Sequence, residues 1–142
     1  NYKLRTKCNY LRYVDYKGIR GDQYPDLSYP EYLSRYRAAI AATTYFPTQK
    51  YWEIPAAGCL TFMEITKKND SGFLGFKNNE TAIFIDEKNY KEKFEEFLSE
   101  PENPKWEEIA NAGREFVMKH RNNDNAVDSL VDLMEKAIDE QL

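Results

Sequence analysis

Residues 47–64 read PTQKYWEIPAAGCLTFME, and this stretch decides the fold. It begins with polar residues, contains the acid Glu53, and changes character at Gly58. The mostly apolar residues 59–63 then follow without alternation, which is typical of a strand buried on both faces in a parallel sheet. We therefore predict a short, irregular helix, a glycine turn and a buried strand, in that order.

Two charged side chains, Lys50 and Glu53, stand in the helical part of this stretch, three positions apart. That spacing places them on neighbouring positions of one helix face. A cation and a carboxylate presented together where a loop becomes a helix can bind a phosphate and a diol, and the free N–H groups of the helix start also favour a phosphate. The alternative is an exposed i,i+3 ion pair, which is the commoner use of this spacing.

The chain before the central stretch carries less regular patterns. Residues 10–14 are rich in β-forming side chains and predict a strand. The Ser-Tyr-Pro-Glu sequence at 28–31 has the form of a capping box and predicts a helix over about 29–38. A strand of small residues is predicted at 39–44, where the small side chains either admit a ligand or simply allow tight packing.

Beyond the central stretch the pattern indicates one strand and three helices. The strand is predicted at 82–85. The helices are predicted at about 88–99, from Pro104 with Asn103 as its N-cap, and at about 124–140. Each helix has one apolar stripe opposite charged residues, and we interpret the three stripes as core. The third stripe comprises Val127, Leu130, Val131, Met134 and Ile138.

This order of elements predicts the α/β fold class, with a parallel sheet flanked by helices. In such sheets ligands bind beyond the carboxyl ends of the strands. The loops after Thr44 and Glu64 both lie at that edge of the predicted sheet. Their position favours the ligand-binding interpretation of Lys50 and Glu53 over the ion pair.

Composition excludes several classes of function. The net charge of −4 argues against non-specific nucleic-acid binding, and no basic amphipathic helix suggests a membrane surface. No apolar run approaches the roughly 18 residues of a spanning helix, and no signal-peptide pattern opens the chain. Cys8, Cys59 and one histidine are too few for a structural zinc site, so we expect free thiols in a reducing, cytoplasmic compartment. Because the sequence starts at Asn1 without Met, we expect a piece of a longer protein.

Three motifs resemble one enzyme family. Residues 50–58, KYWEIPAAG, resemble the K-x-x-E-x-x-A-x-G signature of the group 1 (family 4-like) glycosyltransferases, and most closely the subgroup with CgeB-like spore-maturation proteins. Residues 75–86 resemble the family's glycine-led strand. Residues 109–114, followed by His120, resemble its I-A-x-x-G helix. The order and spacing of the three motifs extend the resemblance over about 28–135.

The resemblance implies that residues 1–142 are a partial donor-binding domain of a GT-B enzyme, with a Rossmann-like sheet and with residues 1–27 poorly defined. It implies that Glu53 binds the ribose hydroxyls of a nucleotide-sugar and that Lys50 lies near the diphosphate. The loop with Thr44, Tyr45 and Thr48 would lie against the sugar and diphosphate. Arg5 or Lys7 would take the place of the cations that neutralise the leaving diphosphate.

The activity implied is transfer of a sugar from a nucleotide-diphosphate sugar to an acceptor, with a retaining outcome and without a metal. The acceptor domain of the same protein would lie outside this chain, so the catalytic residues are not assigned. We expect the isolated chain to bind nucleotide weakly and not to turn over. Classical members carry a second glutamate eight residues before the ribose-binding one, and Tyr45 stands there in this sequence.

Other functions remain as alternatives. A non-catalytic binding or scaffold module would use the same Rossmann-like fold without donor chemistry. A receiver-type signalling domain needs an acidic cluster at the strand ends, whereas Asp15 and Asp86 are isolated in the sequence. A glycosidase needs a carboxylate pair, whereas most acids fall on predicted solvent faces. His120, near a helix C-terminus, suits the helix dipole better than catalysis.

Overall fold

The computed structural model describes residues 1–16, 28–120 and 123–140 of the chain. Helices and strands alternate through most of this length, in keeping with the α/β class. The elements in chain order are α1 (Lys3–Asn9), α2 (Tyr29–Leu33), β1 (Ala38–Ala41), α3 (Lys50–Ala56), β2 (Leu60–Glu64), a 3-10 helix (Ser71–Leu74), β3 (Ile83–Ile85), α4 (Tyr90–Ser99), α5 (Pro104–His120) and α6 (Asn123–Asp139).

The sheet has three parallel strands in the order β1-β2-β3. Ala38 pairs with Leu60 at the start of the first ladder, and Glu64 pairs with Ile85 at the end of the second. Every residue of the central strand β2 is buried. Gly58 ends the preceding turn at φ +85°, a left-handed backbone conformation that residues other than glycine rarely adopt. The predicted helix, glycine turn and buried strand are therefore confirmed, as is the fold class.

Two apolar clusters cover the sheet, one on each face. Because successive side chains of a strand point to opposite faces, Leu60 and Phe62 belong to one cluster and Met63 belongs to the other. The first cluster includes Leu4 of α1 and Phe94 of α4. The second holds α3 and part of α5. The sheet is thus a middle layer, and its carboxyl edge is left for the loops.

Helix α5 comes unusually close to the chain just before β3, and Gly113 makes this possible. A Cβ atom at this position would lie 2.4 Å from the backbone carbonyl oxygen of Thr81. A glycine inside a helix costs about 1 kcal/mol relative to alanine. The close approach explains why that cost is accepted in the middle of the helix.

The strand predicted at 10–14 is wrong. This part of the chain continues α1 as a series of turns, in which Leu11 N–H donates to the Cys8 carbonyl and Val14 N–H donates to the Leu11 carbonyl. Leu4 and Cys8, one helical turn apart, are both fully buried. Their burial anchors α1, and tertiary packing overrides the β propensity of residues 10–14, which follow as turns.

Two boundaries near the centre also differ from the prediction. The capping box at Ser28 is confirmed, since the Glu31 carboxylate accepts hydrogen bonds from both the backbone N–H and the hydroxyl of Ser28, at 2.8 and 2.7 Å. However, the helix ends at Leu33 instead of continuing to about 38. Strand β1 ends at Ala41 instead of at 44, and the backbone N–H of Thr44 donates to the Asn1 carbonyl instead of to a neighbouring strand.

The apolar stripes of the last three helices differ in burial. Those of α4 and α5 are core, with Phe94, Trp106 and Val117 buried as predicted. The stripe of α6 is not core: its five predicted residues Val127, Leu130, Val131, Met134 and Ile138 are 45% to 59% exposed. Periodicity shows that a helix has an apolar face, but it does not show what covers that face. In the described ranges, none of the helices combines the length and the apolar character that crossing a membrane requires.

Candidate functional site

A pocket of about 810 Å³ opens beyond the carboxyl end of β1, and we call it the β1–α3 pocket. Its walls come from the start of α1, from α2, from the two residues after β1, and from the loop and first turn of α3. The central stretch of the sequence therefore forms one side of the pocket, at the sheet edge where ligands of parallel sheets bind. The lining residues are Tyr2, Arg5, Tyr29, Ala42, Thr43, Pro47, Thr48, Gln49, Lys50, Trp52 and Glu53.

Four of the six residues predicted for donor binding line this pocket: Arg5, Thr48, Lys50 and Glu53. The other two, Thr44 and Tyr45, do not. The Thr44 hydroxyl accepts a hydrogen bond from the Lys3 backbone N–H at 3.1 Å, and the Thr44 N–H donates to the Asn1 carbonyl at 3.0 Å. Thr44 therefore ties the start of the chain to the end of β1, which holds α1 and Arg5 at the pocket.

Tyr45 lies outside the pocket on the loop between β1 and α3. Its side chain is 47% exposed, and the ammonium of Lys68 lies 4.8 Å from the centroid of its ring. The neighbouring Phe46 is 65% exposed. This part of the loop thus presents aromatic side chains to the solvent beside the pocket.

Lys50 and Glu53 do not form the ion pair that their spacing allows. Among the described residues, neither side chain takes part in an ion pair. The Lys50 ammonium instead donates to the Tyr29 hydroxyl at 3.1 Å and lies 5.0 Å from the centroid of the Tyr29 ring. Both side chains are half-buried in the pocket wall. Glu53 consequently offers a carboxylate to the pocket that no described cation neutralises.

The two candidate cations of α1 have different surroundings. Arg5 lines the pocket, and its guanidinium carbon lies 3.7 Å from the centroid of the Tyr2 ring. Lys7 does not line it and pairs with Glu87, the Nζ–Oε1 distance being 3.0 Å. This pairing raises the pKa of Lys7 and lowers that of Glu87. Of the two residues, only Arg5 is placed to meet a ligand of the pocket.

Glu64, the last residue of β2, is a buried acid to which the sequence assigned no role. Its side chain is 6% exposed, and among the described residues no group donates a hydrogen bond to its Oε2. Burial raises the pKa of the carboxyl to about 7, with further increases from the charges of Glu87 and Asp86, against the lowering effect of the Thr43 backbone N–H. The sequence did contain a signal for Glu64: it is an acid, and it ends the predicted buried strand at the edge of the sheet where ligands bind.

Other residues that contact the site were also missed. Tyr2, Tyr29 and Trp52 line the pocket, and Trp52 stands inside the very stretch that was singled out. Tyr51 and Asn69 lie behind the wall, fully buried and hydrogen-bonded to each other at 3.4 Å. An aromatic or amide residue in a sequence gives no sign of whether it faces a cavity or supports one.

The residues considered for the alternative functions, Asp15, Asp86 and His120, contact other parts of the fold. The Asp86 carboxylate accepts N–H bonds from Lys88 and Asn89 at 2.7 and 2.9 Å, which caps the chain before α4. Asp15 accepts a hydrogen bond from the Tyr36 hydroxyl. His120 is exposed in the last turn of α5, with its ring 5.2 Å from that of Phe116. None of these three residues lines the β1–α3 pocket.

Comparison with known proteins agrees with this architecture. The family model described as "Glycosyl transferase-like" matches residues 3–132, a span that includes α1 and every lining residue of the β1–α3 pocket except Tyr2. Searches of curated proteins and of solved structures gave no match. The family match supports glycosyl transfer as the general activity, and the three-stranded parallel sheet flanked by helices is consistent with a Rossmann-like domain of such an enzyme. The chain belongs to the glycosyl transferase-like family.

Proposed function

We propose that this chain is the donor-binding part of a group 1, CgeB-like glycosyltransferase with GT-B architecture, and that the β1–α3 pocket binds a nucleotide-diphosphate sugar. One observation carries the proposal. The Glu53 carboxylate shares the pocket with Lys50 and Arg5 and forms no ion pair with either within the described residues. Separate anionic and cationic groups in one pocket suit a ligand that has both a diol and a diphosphate.

The chemistry of these groups matches such a donor. An ionised carboxylate only accepts hydrogen bonds, and it can take two O–H groups from a vicinal diol, as a ribose offers. Lys50 and Arg5 would hold the diphosphate and stabilise the charge that develops on it as the glycosidic bond breaks. We propose that these protein cations take the role that a metal ion has in other transferases. The expected outcome at the anomeric carbon is retention.

The remaining parts of the proposal concern the rest of the protein. A separate N-terminal domain would bind the acceptor, so the chain alone is expected to bind donor weakly and not to transfer sugar. Thr48 and the exposed Tyr45 would lie beside the sugar, while Thr44 acts through α1. We place the protein in the cytoplasm because Cys8 and Cys59 are both free thiols, buried in the fold.

A second candidate is a binding module on the same fold without transferase chemistry. The observation that favours it is that Tyr45 is exposed and lies outside the pocket. Tyr45 stands at the position where classical members of the family that the sequence resembles carry a second glutamate. A module of this kind would still bind a nucleotide but would make no specific contact with the sugar. Equal affinity for a nucleotide and for its sugar conjugates would favour this candidate over the donor domain.

The proposed function is tested by calorimetric titration of the chain with UDP, GDP and ADP. We expect saturable binding of one of the three, which would also identify the donor base. The same titration with the matching nucleotide-sugars then separates the two candidates. If the folded chain binds none of the three nucleotides at millimolar concentration, the pocket is not a donor site.

Lys50→Met is expected to weaken binding of the nucleoside diphosphate about fivefold, or about 1 kcal/mol, which is less than a fully buried charged hydrogen bond contributes. Affinity for the corresponding nucleoside, which has no phosphate, should stay unchanged. The matched control is Lys77→Met, the same charge change at a side chain that is 71% exposed and paired with Glu80. A loss of equal size for nucleoside and diphosphate would place Lys50 away from the phosphates.

A further inference from the structure

A buried amide lies directly behind the β1–α3 pocket. Asn69 is 1% exposed, and its Nδ2 donates to the carbonyl oxygens of Glu64 at 2.7 Å and Thr43 at 3.0 Å. Its Oδ1 accepts hydrogen bonds from the backbone N–H groups of Thr66 and Ser71 at 3.1 and 3.2 Å. One side chain thereby joins the ends of β1 and β2 to the loop that follows β2.

Tyr51 adds α3 to the same network. Its side chain is fully buried, and its hydroxyl donates to the Glu64 carbonyl at 2.9 Å. The same oxygen lies 3.3 Å from the Thr43 hydroxyl and 3.4 Å from Nδ2 of Asn69. Tyr51 stands between Lys50 and Trp52, which both line the pocket. Its hydroxyl therefore anchors the first turn of the helix that carries the proposed ligand-binding groups.

The network connects two walls of the pocket to one buried support. Thr43 belongs to the wall after β1, and Lys50 and Glu53 belong to the wall formed by α3. The α3 wall is hydrogen-bonded directly to the end of β2 through Tyr51, and the wall after β1 is joined to it through Asn69, β2 being the fully buried central strand. Buried hydrogen bonds of this kind are costly to leave unmade, so a satisfied network holds its members in a single arrangement.

We propose that Tyr51 and Asn69 are positioning residues for the nucleotide site: they contact no ligand, but they fix the distance between Thr43 and the Lys50–Glu53 turn that the ligand spans. The inference rests on the proposed function. It goes further by assigning a role in binding to two side chains that do not line the pocket. Loss of the network should widen the pocket and weaken binding without unfolding the chain.

The test compares two substitutions that each remove one buried hydroxyl. Tyr51→Phe keeps the ring and loses the network bond, and it should weaken nucleotide binding roughly threefold to tenfold, the range set by one buried hydrogen bond. Thr61→Val is the control: Thr61 is 1% exposed in the middle of β2, and its hydroxyl donates to the Cys59 carbonyl at 3.3 Å. Thr61→Val should lower the melting temperature to a similar degree but leave the nucleotide Kd unchanged.

Asn69→Asp gives a second, independent readout. At neutral pH the new carboxylate would face the carbonyl oxygens of Thr43 and Glu64, and nucleotide binding should weaken. Acidification should partly restore binding relative to wild type at the same pH, because a protonated Asp regains one O–H donor. Asn69→Ala, which has no group to protonate, should show no such recovery.

The outcomes separate this inference from the proposed function. If wild-type chain binds one nucleotide and Tyr51→Phe binds it equally well, the positioning role is wrong and the donor site stands. Equal weakening in Thr61→Val, or identical pH profiles for the Asp and Ala variants at position 69, would also overturn it. If wild-type chain binds none of the three nucleotides, both proposals fall together.

Discussion

From about pH 5 to about pH 8, the free energy of unfolding of this chain is expected to fall by about 2.5 kcal/mol through Glu64 alone, and Glu64→Gln should remove most of that fall. The carboxyl is 6% exposed, and burial raises its pKa from 4.5 to about 7. One unit of pKa shift corresponds to roughly 1.4 kcal/mol, which gives the size of the effect.

The direction of this change in stability follows from the protonation of Glu64 in the folded and unfolded chain. Between pH 4.5 and about 7 the folded chain keeps a proton on Glu64 that the unfolded chain has lost. Stability therefore decreases as pH rises through this window, and the whole penalty is present above the folded pKa. Below the unfolded pKa, both states are protonated and Glu64 contributes no pH dependence. The neutral amide of glutamine has no charged form to bury at any pH.

Urea denaturation at a series of pH values measures this effect. The matched control is Glu92→Gln, the same change at an exposed acid of α4, which should keep the wild-type slope of stability against pH. Parallel curves for wild type and Glu64→Gln would contradict the buried carboxyl at the end of β2, to whose Oε2 no described group donates a hydrogen bond.

Gly113→Ala is expected to lower the free energy of unfolding by about 2 to 3 kcal/mol, the cost of forcing extra volume into a packed interior. The added Cβ would lie 2.4 Å from the Thr81 carbonyl oxygen and 3.8 Å from the Pro55 Cβ. Because the nearest atom belongs to the backbone, it cannot rotate away as a side chain would. The gain of about 1 kcal/mol in helix propensity does not offset the clash.

The control for this substitution lies two residues away. Asn111 is exposed on the same helix, and Asn111→Ala should leave stability equal or slightly higher, because alanine has the better helix propensity. Urea denaturation of the three proteins gives both differences. A Gly113→Ala variant as stable as wild type would show that α5 and Thr81 are not in close contact.

Much of the sheet could be predicted because its signals are local. A continuous apolar run, a glycine and a capping box each depend on neighbouring residues, so β2, Gly58 and the start of α2 were predicted correctly. The strand at 10–14 was wrong because burial of Leu4 and Cys8 is decided by the rest of the fold. The stripe of α6 was misinterpreted for the same reason, since a pattern does not identify a partner.

The same distinction between local and long-range signals applies to the residues of the site. Thr48, Lys50 and Glu53 are close in sequence, and the rule for parallel sheets places their loop at the ligand edge. Arg5 reaches the pocket through long-range contacts that hold α1, among them the hydrogen bond from the Lys3 N–H to the Thr44 hydroxyl across 41 positions of the chain. Tyr51 and Asn69 were missed because the burial of a polar side chain leaves no mark in the sequence.

The measurement that tests the central claim most directly is a thermodynamic cycle between Glu53 and the ribose of the bound nucleotide. Wild type and Glu53→Ala would each be titrated with the preferred ribonucleotide and its 2′-deoxy form. We predict that the 2′-deoxy change weakens binding to wild type roughly tenfold, the size of one charge-assisted hydrogen bond, that Glu53→Ala weakens it at least as much, and that the 2′-deoxy change costs little more once Glu53 is absent. Unchanged affinity in Glu53→Ala, or two losses that simply add, would show that Glu53 does not bind the ribose.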